Sequence, residues 1–156
     1  MVETKSIAEL TDLAKQLNLQ SNNLNRYITA LNDQLASLNL GLEYWDSEPI
    51  ESTGERYDSS VSPPRKFEVD TFLGYCELED EWQLAIKHTT TDHEWNRDDQ
   101  MENLVQEDEY TPLLKASRDI RLKATEGFDG FLTGLIAHTK AQLAKIQRAE
   151  KAAKLK

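Results

Sequence analysis

The sequence predicts an α+β fold, and three observations carry the prediction. A strict seven-residue ladder of leucines spans residues 7–38, alternating apolar residues occupy the middle, and a second helical stripe runs towards the C-terminus. Helix, then strands, then helix is the order of an α+β chain and not of a βαβ repeat. The expected architecture is a long N-terminal heptad helix, a small antiparallel β-meander and a long C-terminal helix, the helices packed as a coiled-coil-like bundle. One domain over 1–156 is expected. It divides into the helix (1–41), the meander (42–89, with a mobile loop at 47–65), an acidic connector (90–111) and a C-terminal helical region (112–156).

The first helix rests on Leu10, Leu17, Leu24, Leu31 and Leu38, interleaved with Ile7, Ala14, Ser21, Ile28 and Leu35. These positions step alternately by three and four, the spacing of a helix that packs along its length against others. Ser6 and Glu9 match a capping box, and Gly41 is placed to end the helix. Residues 7–40 then extend about 51 Å at 1.5 Å per residue. The seam's flanks are uncharged. Thr11, Asn18, Asn25, Asn32 and Asn39 lie on one side, and Leu13, Gln20, Tyr27 and Gln34 on the other. A free-standing zipper usually carries Glu and Lys at these positions. A central bundle helix is therefore expected, antiparallel to the chain's own C-terminal helix and extended by a second subunit. Ile7, Leu10, Ala14, Leu17, Leu24, Ile28, Leu31, Leu35 and Leu38 are the expected oligomer interface, with a homodimer as the commonest closed form.

The middle reads as strands. Leu42–Trp45 is a short first strand. Pro49, Gly54, Pro63 and Pro64 mark a loop. Residues 67–78 alternate, with Gly74 as a candidate bulge. Glu79-Asp80 is a tight turn, and residues 81–89 return. The polar run from 90 to 111 reads as a connector with a short helical turn at 101–105. Thr111-Pro112 resembles an N-cap and first helical position, with the helix established by Ser117. Its stripe contains Ile120, Ala124, Phe128, Phe131, Leu132, Leu135, Ile136, Leu143 and Ile146. Gly127, Gly130 and Gly134 imply a break near 127–130 or a close approach.

The net charge of −10 is uneven. Residues 1–42 carry −1, residues 43–109 carry −15, and residues 110–156 carry +6. Such blocks fit complementary assembly or separately solvated faces. The single Cys76 excludes an internal disulfide and fits a reducing, cytoplasmic setting. Neither a leader peptide nor a membrane-spanning run is expected.

No catalytic, cofactor or metal motif stands out, and none of the three is expected. His88, Asp92, His93 and Glu94, with Cys76 on the partner strand, have metal-ligand chemistry, but their spacing matches no established pattern. They define the alternative of a small metal-dependent enzyme. Lys140, Lys145, Arg148, Lys151, Lys154 and Lys156 form a basic tail that defines a second alternative, a regulator contacting nucleic acid. Tyr44, Trp45, Tyr75, Trp82 and Trp95 beside carboxylates would suit a basic peptide of a protein partner or a cationic ligand. The leading expectation is a non-enzymatic, oligomeric interaction or scaffold protein assembled through helix 1.

Overall fold

A computed structural model describes residues 2–62, 64–96 and 101–154. It contains three helices and one antiparallel sheet. Helix α1 (Val2–Ser37) comes first, followed by β1 (Tyr44–Trp45), β2 (Glu51–Ser52), β3 (Arg56–Asp58), β4 (Arg65–Leu78), β5 (Glu81–Asn96) and β6 (Met101–Pro112). A 3₁₀ turn (Leu113–Lys115) leads into α2 (Arg118–Glu126) and α3 (Phe128–Lys154).

α1 is uninterrupted, but its ends differ from the sequence reading. It already includes Val2, so Ser6 is internal and forms no capping box. It stops at Ser37, ahead of Gly41. The Leu38 and Asn39 amides donate to the Leu35 and Ala36 carbonyls at 3.2 and 3.1 Å. Asn39 then turns left-handed with φ 49°, a conformation asparagine tolerates. Gly41, at φ 59°, makes a second such turn.

The sheet is larger than a three-stranded meander. β4 and β5 pair from Lys66↔His93 to Leu78↔Glu81, closed by Glu79 and Asp80, both at positive φ. That is the primed-turn geometry that matches strand twist. The register passes through Gly74 without a bulge. Gly74 instead leaves room for the Trp45 ring, which a Cβ there would overlap. The segment read as an acidic connector is strand. β5 runs on to Asn96, and β6 pairs with it from Ala85↔Pro112 to Asn96↔Met101. No helical turn forms at 101–105. The apolar alternation that betrays a strand is missing because residues 102–110 of β6 are exposed on both faces. The expected first strand forms as β1, and the 47–65 loop contributes β2 and β3; the three pair in turn along the free edge of β4. Asp98 and Asp99 of the connector lie outside the described residues.

The core sits where α1 crosses one end of the sheet. Ile28 and Leu35 meet Leu73, Tyr75, Leu84 and Ile86, and Leu113, Ala124, Phe128, Phe131 and Leu135 close the far side. Ser117 caps α2 by accepting the Ile120 amide, and Gly127 breaks α2 from α3. α2 and α3 run in the same direction as α1, not antiparallel to it. Arg118 reaches Asn18 and Ser21, Arg121 reaches Asn25, and Tyr27 stacks on Phe128 at 5.9 Å. β6 sets this direction by returning the chain to buried Leu113, from which α2 starts at the level of Ser21.

Two substitutions check the packing. Asn32→Ala leaves the Leu84 amide without its 2.8 Å acceptor and should cost about 1–3 kcal/mol in urea denaturation, with Asn32→Asp milder. Nothing lies within 4 Å of a Cβ at Gly130, whereas one at Gly134 would overlap the Tyr44 hydroxyl. Gly130→Ala should stabilise by about 0.5–1 kcal/mol, and Gly134→Ala should lower the melting temperature.

Candidate interaction surface

The ladder on α1 is divided between two environments. Leu24, Ile28, Leu31 and Leu35 belong to the chain's own core, and Ile28 and Leu35 are buried outright. Ile28 and Leu35 are thus covered by their own chain, and Leu24 and Leu31 are partly so. The N-terminal part is bare. Ile7 and Leu10 are each 61% exposed, Leu13 53% and Leu17 50%, and Ala14 is also exposed. Leu38, beyond the other end of the helix, is 63% exposed. Every described side chain from Thr4 to Gln20 faces solvent.

The asparagine flank marks where α1 is held. Asn18 and Ser21 accept from Arg118, Asn25 accepts from Arg121, and Asn32 accepts from the Leu84 amide. Asparagine spaced by seven residues thus ties one side of α1 to α2 and to the sheet, where Glu and Lys would have chosen a charged partner. The Arg121 Nε is buried without a hydrogen-bond partner.

A matching bare stretch, missed as a surface in the sequence, lies on α3. From Leu132, which packs against the core, the stripe runs on through Ile136, Thr139, Leu143 and Ile146 past the point where α1 ends. Ile136, Leu143 and Ile146 are more than half exposed. Apolar clefts mark both places where the helices part. One of about 340 Å³ lies at the base of the α1 arm beside Leu17, Leu24 and Leu122. One of about 360 Å³ lies between Leu38, Leu40, Leu132 and Ile136.

Of the four aromatics read as a possible partner face, Tyr44, Tyr75 and Trp82 lie on the core side of the sheet and Trp45 on the other. Tyr44 stacks on Phe131 and His138 at 5.4 Å, and its hydroxyl donates to Asp46 at 3.0 Å. Burial raises the pKa of both groups. Tyr75 is buried against Trp82, which borders a groove of about 500 Å³ with Asn32, Asp33 and Glu81. Trp45 covers Gly74 on the opposite sheet face, 5.6 Å from Tyr110. There the Lys87 ammonium sits 4.9 Å from the Trp45 ring centre and 5.2 Å from that of Phe72. The sheet's own cation thus sits over both rings. The Trp95 side chain lies outside the described residues.

His88 and His93 are five residues apart on one strand and therefore point to opposite faces. His88 lies 3.0 Å from the Thr71 hydroxyl, and His93 lies 2.7 Å from Glu102. Asp92 is held by Arg65, which keeps its carboxyl below the ordinary range. Among the described residues, no group of three or more His, Cys, Asp or Glu side chains could hold a metal ion. Among them also, no helix is long and apolar enough to cross a membrane. Cys76 is buried opposite Gln83, where burial first, and Glu43 second, push its thiol up to about 11.

Comparison with known proteins finds no matching family model, no similar curated protein and no similar solved structure.

The environment of Cys76 gives a direct test. A thiolate is the reactive form, and a thiol near 11 is almost wholly protonated at pH 8. Alkylation of the native protein at pH 8 should be at least about a hundredfold slower than after unfolding in guanidinium. A rate near that of the unfolded chain would contradict the buried placement.

Proposed function

We propose that this is a non-enzymatic, self-associating interaction or scaffold protein. Its assembly surface is the bare N-terminal half of α1, and its smallest closed form is a homodimer. The observation that carries this reading is the row Ile7, Leu10, Leu13 and Leu17. All four are half or more exposed on a helix that continues the heptad spacing of the core. Monomers rarely leave a contiguous apolar stripe in water, and such stripes mark interaction sites. Most helical stability in proteins comes from packing of an apolar face, so the arm gains most of its order from what covers it. In the assembly, α1 is the shared element of a coiled-coil-like bundle, its central turns covered by its own chain and its N-terminal turns by another. The reading places the protein in a reducing, cytoplasmic compartment, where a single buried thiol stays free.

Sedimentation equilibrium tests the proposal. The full chain should exceed monomer mass at micromolar concentration, and Ile7→Lys with Leu10→Lys should reduce it to monomer without loss of the core's cooperative unfolding. A wild-type monomer at high micromolar concentration overturns the reading.

A further inference from the structure

We infer that the α1 arm is covered by the C-terminal part of α3 of a second copy, in a twofold pair that makes this contact once at each end. The inference rests on the self-association proposed above and names the occupant of its surface. α1 and α3 run in the same direction but are staggered: α1 overhangs where α2 begins, and α3 overhangs where α1 stops. The overhangs are nearly equal. Residues 2–17 extend about 24 Å and residues 140–154 about 22 Å at 1.5 Å per residue. Two copies side by side and antiparallel bring the α1 arm of each beside the α3 arm of the other, and both apolar stripes are covered at once. Pairing α1 with α1 leaves the two α3 stripes bare.

Charge favours the same occupant. Residues 140–154 hold five bases and one acid, and none of these bases forms a salt bridge within the described residues. Pairing α3 with α3 stacks these positive charges. Residues 2–17 hold three acids and two bases. In the antiparallel alignment, Glu9 and Asp12 fall at about the level of Arg148 and Lys145. The N-terminus of α1 also lies beside the C-terminus of α3, so the helix dipoles oppose favourably.

Charge exchange tests this in low salt by sedimentation equilibrium. Glu9→Lys with Asp12→Lys, and separately Lys145→Glu with Arg148→Glu, alter exposed residues outside the core. Each variant alone should dimerise at least about tenfold more weakly, because four exposed pairs per dimer turn from attractive to repulsive. An equimolar mixture of the two restores opposite charges at both contacts and should recover wild-type affinity. If the α3 variant dimerises like the wild type, or if the mixture stays as weak as its components, the α1–α3 contact is wrong while self-association stands. A monomeric wild type overturns both.

Discussion

Everything in this fold is referred to the few turns of α1 around Ile28, Asn32 and Leu35. Ile28 and Leu35 are sealed between the sheet end and α2–α3, and Asn32 caps a backbone amide of β5. Burying two such aliphatic side chains contributes about 1.5–3 kcal/mol each. The asparagine adds a specificity that burial lacks, since only one rotation of α1 presents it to Leu84. Asn25 and Asn18 repeat the device one and two heptads earlier, against arginines of α2. The core is therefore keyed on one side of α1 by polar pairs and filled by the leucine seam on the other. With the helix pinned at its middle, its N-terminal turns have no support from their own chain.

Much of this was legible in the sequence, and what was not has a physical cause. The heptad step, the turn at Glu79-Asp80, the strand pair across it and the break at Gly127 all carry local signals of periodicity or backbone preference. β6 carries none. A strand shows itself through apolar alternation when one face is buried, and residues 102–110 are wet on both faces. What makes them a strand is pairing with β5, a long-range property. The early start of α1 was hidden by a capping box that is real as a pattern but is overrun by a helix-competent Val-Glu-Thr-Lys lead. Of the interface residues read from the ladder, the sequence could not separate those kept by the core from those left over. Both sets obey the same spacing, and only the position of the sheet divides them. The same limit hid the α3 stripe, which reads as core throughout until one sees that α1 stops short of it.

The sheet explains why recognition is better sought on the helices. Trp45 and Phe72, the aromatics best placed on its outer face, already hold Lys87. Along the outer edge, β6 sets Glu107, Asp108 and Glu109 in succession on a strand that has no neighbour on its far side among the described residues. An edge that offers free backbone groups invites pairing with another edge, and consecutive carboxylates oppose it when the other edge is a copy of itself. The sheet is thus built against association through its edge, while the helices carry uncovered leucine and isoleucine.

The titratable groups that the sequence made attractive are not brought together by the fold. Catalysis needs a group poised near neutral pH beside a reactive partner. The one thiol is pushed out of that range by burial, the two strand histidines face away from each other, and Asp92 is committed to Arg65. The two histidines and Asp92 each pair with a side chain of a neighbouring strand, Thr71, Glu102 and Arg65. What remains uncovered is apolar and periodic, at the overhanging ends of two helices that run the same way and overlap only in part. In the dimer proposed above, that stagger is matched by a neighbour with the complementary stagger. The most economical such neighbour is a second copy turned end for end.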